Sequence, residues 1–229
     1  MTPPDALRQQ EEPDALVQRV YDGLYRDIAA GRFRPGERLP RRMIAKRYGV
    51  SNTPVSAALV RLVQTGLVEV ETGQMARVRR MTLDAIQGDN ELREAIETQA
   101  IRRACEAATS AEIEELRRLA ETVDVWHNDS RRGGCTEGPR LDSDFHKRLA
   151  EVSRYPVLVR ELEKITLAWH FRRAWLVPVA ADEPPQQHGL LVDKIARRDI
   201  EGATAEMRAH IRRGLRDECL AFQQRIVRE

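Results

Sequence analysis

The chain has 229 residues, of which 41% are hydrophobic and 32% charged, with a formal net charge of +2. That length suits one large domain or two modest ones, and no run approaches the ~18 uninterrupted apolar residues that a membrane-spanning helix needs. Three cysteines (Cys105, Cys135, Cys219) stand far apart without a CxxC pair, which argues against a disulfide framework or a thiolate zinc site and fits a reducing cytoplasm.

The opening residues MTPPDALRQQEEPD lack an apolar core and carry acids, so 1–13 reads as a disordered lead-in and not as a secretory signal. From Asp14 to Ala30, Val17, Val20, Tyr21, Leu24 and Ile28 recur at helical spacing, with Pro13 as a start and Gly31 as a stop. Pro35-Gly36 marks a turn. A second helix begins near Pro40, with Ile44, Ala45 and Tyr48 facing inward, and Gly49 ends it. Ser51 or Asn52 caps a third helix, and Pro54 is tolerated in its first turn. Its buried stripe is Val55, Leu59, Leu62 and Val63, and Gly66 closes it. Leu67, Val68 and Val70 then have strand character, and Thr72-Gly73 turns back into Met75, Arg77 and Val78 as a β-hairpin wing.

Charge is unevenly distributed. Residues 1–80 hold 14 Lys and Arg against 9 Asp and Glu, which leaves 24 and 27 for the remainder. Arg32, Arg34, Arg38, Arg41, Arg42, Lys46 and Arg47 cluster around the single acid Glu37, a density that suits a phosphate backbone. Two helices, a turn and a wing are the order that delivers a helix into a major groove. Ser51, Asn52, Thr53 and Ser56, all short hydrogen-bonding side chains, then face base edges. Arg41 and Arg42 reach phosphates or a guanine edge, and Thr72 and Gly73 approach the minor groove. Ser51 and Thr53 also suit helix capping, and the two roles are compatible.

The stretches GRFRPGERL from Gly31, GVSNTPV from Gly49 and GLVEV from Gly66 resemble the GntR family of winged-helix bacterial regulators over about 65 residues. The resemblance implies operator contacts at Arg42, Ser51, Asn52, Thr53, Ser56, Thr72 and Gly73. Family members commonly carry Arg at the places of Asn52 and Ser56 and an acid at Arg41. The operator is therefore expected to differ from the common family sequence, with phosphate affinity shifted toward Arg41 and Arg42.

Beyond Arg80 the pattern is helical throughout, without strand alternation. Helices are predicted near 84–108, 110–129, 138–153, 155–177, 186–198 and 200–226. The expected fold class is mainly α, an N-terminal winged helix-turn-helix (14–80) followed by an all-α antiparallel helical bundle (84–229). Asp142 and His146 are four apart and share a helix face. His188 follows a Pro-rich loop, and His210 lies inside the last helix. Each is unremarkable alone, but an antiparallel bundle can bring all four together.

The runs DSDFH from Asp142, HGLLVDKIARRD from His188 and AEMRAH from Ala205, with ELREAIE from Glu91, resemble the FCD ligand-binding domain of the FadR branch of that family. The resemblance implies that Asp142, His146, His188 and His210 ligate a metal. Tyr155 stands where Asn is common, which places the local turn or a pocket wall in question. Three imidazoles and a carboxylate suit zinc foremost, or nickel or manganese. Because the imidazoles must be neutral, binding is expected to weaken below about pH 6. A single carboxylate would leave a divalent site with a residual positive charge that attracts a carboxylate effector, with Arg93 as a bidentate clamp. Arg172 and Arg173 are further effector candidates that read equally as a solvent-facing basic pair, while His127 and His170 read as surface or packing residues.

The reading is a cytoplasmic, effector-responsive DNA-binding regulator, in which a small organic acid bound near the metal alters the spacing of two DNA heads. A homodimer is implied, because one short helix reads only a few base pairs. Two alternatives stay open: a regulator sensing the metal itself, and a metal-dependent enzyme acting on small carboxylates. No side chain presents itself as general base or nucleophile for the enzyme.

Overall fold

Val17, Val20, Leu24 and Ile28 form a continuous buried stripe along α1 (Pro13–Ala29), as their three- and four-residue spacing dictates. The computed structural model describes residues 12–70, 75–130, 138–176 and 187–228. The chain divides into two compact units, Met1–Arg80 and Met81–Glu229.

In the first unit, α1 packs on α3 (Asn52–Gln64), and α2 (Arg41–Tyr48) also rests on α3. Gly49 ends α2 in the left-handed conformation at φ 64°, where a Cβ is disfavoured. The buried residues of α3 are Pro54, Val55, Ala58, Leu59 and Leu62. Val63, expected in that stripe, is instead exposed, since it lies one position round from Leu62. The hairpin pairs β1 (Val68–Val70) with β2 (Ala76–Val78), Val68 opposite Val78 and Val70 opposite Ala76. Segment 36–39 adds an edge, with backbone bonds from Gly36 to Val78 and from Leu39 to Ala76. The predicted wing tip, Thr72 and Gly73, lies outside the described residues.

The buried carboxylate of Asp27 ties the unit together. It accepts from Arg32 Nη1 at 2.5 Å and Tyr48 Oη at 2.7 Å, and it pairs with Arg47 Nη2 at 2.7 Å. The Tyr48 ring in turn presses on α1 at Gly23, where a Cβ would stand 2.4 Å from Cε1. Only glycine lets the two helices approach there.

The second unit contains α4 (Leu83–Ala107), α5 (Ser110–Ser130), α6 (Gly138–Val152), α7 (Pro156–Trp175), α8 (Gln187–Ala196) and α9 (Ile200–Arg228). The mainly-α expectation agrees with this, as does the absence of strands after residue 80 among the described residues. Helix α4 runs along α9, α5 packs on α6 and α8, and α7 covers α4 and α6. The core is Ile101, Leu116, Val123, Phe145, Leu149, Leu191, Ile195, Met207 and Ile211. Thr82 caps α4 by accepting from the Ala85 amide at 3.1 Å. Two turns hold arginines at positive φ, Arg154 at 66° and Arg198 at 57°. Arg198 reaches across to the end of α4, donating to the carbonyls of Cys105 and Ala108 at 2.8 and 2.7 Å. Those bonds satisfy acceptors that a helix end leaves open and offset the unfavourable backbone. Among the described residues no helix is long and apolar enough to cross a membrane.

Candidate nucleic-acid interface and metal centre

The start of α3 presents Ser51, Asn52 and Thr53 to solvent, with Ser56 half-buried behind them. Ser51 is the N-cap residue, but its hydroxyl makes no cap hydrogen bond. Capping by its side chain, expected from the sequence, is therefore not seen. The Ser56 hydroxyl donates to its own helix at Asn52 O, 3.0 Å away, so toward a base it has acceptor capacity left. Arg41 and Arg42, the first residues of α2, are both exposed. Arg32 and Arg47 are the two cations of the basic cluster that Asp27 pairs, which lowers the positive charge the sequence suggested for this face.

In the helical unit, four side chains from three helices converge. Asp142 and His146 stand one turn apart on α6, His188 is the second residue of α8, and His210 lies within α9. One ligand atom from each falls within 4.8 Å of all the others. His188 Nε2 is 3.2 Å from Asp142 Oδ1, and His146 Nε2 is 3.1 Å from His210 Nε2. Asp142, His146 and His188 are buried, and His210 is half-buried.

The other nitrogen of each imidazole is engaged from outside. His146 Nδ1 bonds Glu97 of α4, whose second oxygen accepts from Arg93 Nε at 2.5 Å. His188 Nδ1 donates to Asp124 of α5 at 2.8 Å, and that carboxylate also accepts the backbone amides of His188 and Gly189. His210 Nδ1 donates to Gln187 Oε1 at 3.0 Å. Carboxylate and carbonyl oxygens only accept, so each Nδ1 carries a proton, and a ring that is neutral turns its Nε2 lone pair inward. Without an ion, burial lowers His188, but Asp124 and Asp142 on either side outweigh it and raise the ring to about 9, so it holds its second proton until a cation takes its place. The 3.1 Å approach of His146 Nε2 to His210 Nε2 needs either a proton on one of them or a cation between them. His188 Nε2 is buried without a hydrogen-bond partner. Both observations fit a bound cation.

The surrounding charges agree. Burial pushes the Glu97 carboxyl up, but Arg93 and His146 outweigh it and bring it down to about 2. Burial likewise raises Asp142, and His146, His188 and Arg93 bring it well below the carboxylate range. Asp124 is lowered by His188 and the two amides against the same burial. Three ionised carboxylates and one guanidinium therefore surround the three imidazoles. With neutral imidazoles, that set carries two negative charges more than positive ones. A divalent ion would balance that excess.

Residues 16–78 match the bacterial regulatory proteins of the gntR family, and residues 90–213 match the FCD domain. The chain belongs to the GntR family, with an FCD domain. It is 30% identical over 181 residues to the Nta operon transcriptional regulator of Aminobacter aminovorans, covering 79% of this chain and 84% of that protein. It is 28% identical over 220 residues to the transcriptional repressor NanR of Cronobacter sakazakii, covering 86% and 82%. The solved structure of Escherichia coli McbR/YncC superposes with a TM-score of 0.67 at 22% identity, over 91% of this chain and 98% of that one, and shares its fold. As a GntR regulator the protein is a DNA-binding transcription regulator and not an enzyme.

For this GntR chain, the remaining sequence candidates separate clearly. Arg93 lies beside the cluster through Glu97. Arg172 does not. It is buried, it donates to Glu218 and to Asp89 (2.5 Å), and it is neither solvent-facing nor open to a small anion. The Arg173 guanidinium stacks on Trp169, 4.9 Å from the ring centroid. His127 stacks on His188 at 5.6 Å, nearer the site than its reading as a surface or packing residue suggested, while His170 bonds Ser143 at 2.8 Å. Tyr155 is exposed at the start of α7 beneath Arg103, and so belongs to the turn. Sequence reading missed Glu97, Asp124 and Gln187. Glu97 carried one signal, standing four residues after Arg93 inside the FCD-like run.

Proposed function

We propose that this GntR regulator binds a palindromic operator as a homodimer in the cytoplasm and acts as a repressor. Residues 14–80 read the DNA through Arg41, Arg42, Ser51, Asn52, Thr53, Ser56, Thr72 and Gly73. Residues 84–229 carry dimerisation and ligand sensing. Asp142, His146, His188 and His210 hold a divalent ion, zinc foremost with nickel or manganese as alternatives, and a small organic acid bound near it changes operator affinity. When bound, the ion supplies a Lewis-acidic centre for an oxygen donor. Arg93, which gives only its Nε to Glu97, is the side chain whose terminal nitrogens would meet the acid's second oxygen; Arg172, with Nε and both terminal nitrogens spent on Glu218 and Asp89, and Arg173, stacked on Trp169, do not serve there.

The supporting observation is the convergence of three Nε2 atoms and Asp142 while every Nδ1 is committed outward. The second reading, in which the ion is itself the signal, is favoured by the charge match between the centre and a divalent cation. The test is metal analysis of purified protein, with operator binding titrated with and without chelator and with a panel of small carboxylic acids. Stoichiometric metal and an acid-dependent shift in operator affinity are expected. A switch driven by chelation alone selects the metal-sensing reading, and protein that takes up no divalent ion refutes both.

A further inference from the structure

We infer that His210 is the exchangeable arm of the centre, and that Gln187 makes it so by backing its imidazole with a neutral amide where the other two have carboxylates. The inference rests on the metal-binding reading above. A carboxylate that accepts from Nδ1–H pushes electron density onto the ring and makes Nε2 the stronger donor. His146 has Glu97 in that role, and His188 has Asp124. Both carboxylates are themselves fixed, Glu97 by Arg93, and Asp124 by the two amides at 3.1 and 3.0 Å.

His210 has no such support. Its partner is uncharged, and the same Gln187 oxygen also faces Arg213 Nη2 at 3.4 Å. Sharing that oxygen with a cation draws its electron density away from His210. The ligands therefore divide. Asp142, His146 and His188, from α6 and α8, form a rigid and strongly donating set, and α9 supplies the weak one. With an ion bound, His210 would be the ligand released first, and α9 the element that registers its release.

The test uses the full chain and zinc, with affinity measured by competition against a chromophoric chelator and release followed after excess chelator. Gln187→Glu is expected to tighten zinc binding and slow release by about 10-fold or more, while Asp124→Asn and Glu97→Gln weaken binding by roughly 10–100-fold. His210→Ala is expected to lose less affinity than His146→Ala. In a double-mutant cycle, Gln187→Glu should have no effect when His210 is already alanine. An equal gain in that background would show the added charge acting on the ion directly and would overturn the assignment. So would a loss in His210→Ala as large as in His146→Ala. Thermal unfolding of the ion-free variants verifies folding. Should Gln187→Glu fail to fold, the comparison of His210→Ala with His146→Ala decides the matter. Wild-type protein that binds no zinc would instead defeat the metal reading itself.

Discussion

The two units of this regulator store function in opposite ways. In the DNA-reading unit, the candidate residues Arg41, Arg42, Ser51, Asn52 and Thr53 are exposed, local in sequence and placed by turns and caps. In the FCD unit, the four candidate ligands span 69 positions of the chain from Asp142 to His210, and each imidazole depends on a partner that is not its sequence-pattern neighbour. Surface recognition tolerates imprecise side chains, because water and the partner complete the bonds. A buried polar centre does not, because every unmet donor or acceptor there carries a large desolvation cost. Substitutions should therefore act through contact in the first unit and through organisation in the second.

The largest effect is expected from His188→Ala, which removes a fully buried imidazole and leaves Asp124 with only the two backbone amides. Zinc affinity should fall by more than the about 100-fold typical of losing an outer partner, while operator binding by the DNA-reading unit persists. Metal analysis alongside operator titration would check this. Simultaneous loss of operator binding would show that the two units are not separable in the way proposed.

Next is Gly23→Ala. The added Cβ would meet the Tyr48 ring, which cannot swing away freely because its hydroxyl is held by Asp27. Overpacking of this kind costs about 1–3 kcal/mol, so a lowered unfolding midpoint is expected, with operator affinity reduced in proportion to the unfolded fraction. Unchanged stability would mean that the Tyr48–Asp27 bond yields easily. Arg42→Ala should act quite differently, leaving the midpoint unmoved and weakening operator binding. If Arg42 meets a phosphate, the salt dependence of binding drops by about one ion; if it meets guanine, one position of the operator loses its preference. Unchanged affinity removes Arg42 from the interface.

This contrast also explains what was legible in the sequence. Helix periods, Gly49, Gly66 and the wing pattern revealed the first unit almost element by element, because those signals are local. Asp142, His146, His188 and His210 were readable through resemblance to a family, and the bundle brings them together. Asp124 and Gln187 were not readable, since an acid on α5 and an amide before a histidine look like any solvated residues until tertiary packing aims them. Arg172 misled for the same reason. Its burial beside Glu218 and Asp89 is a property of three packed helices and not of its own neighbourhood. Val63 failed more simply, since one residue of a helix period rotates a side chain by about 100°.

The smallest effect tests whether the FCD unit also holds locally legible devices. Thr109 and Glu112 form a reciprocal cap at the start of α5. The Glu112 amide bonds Thr109 Oγ1 at 3.3 Å, and the Thr109 amide bonds Glu112 Oε2 at 2.9 Å. The Thr109 amide and Arg154 hold the Glu112 carboxyl down to about 2 despite partial burial. Its folded value lies below the ordinary glutamate value of about 4.3. The stabilisation is therefore fully present above that ordinary value and is lost as pH falls toward 2. Glu112→Gln should lower the unfolding midpoint at neutral pH, and the gap from wild type should narrow steadily as the pH is taken from about 5 down toward 2. A gap independent of pH would mean that the side chain acts by shape and neutral hydrogen bonding, which glutamine also supplies only in part. The comparison between units would then rest on the buried centre alone.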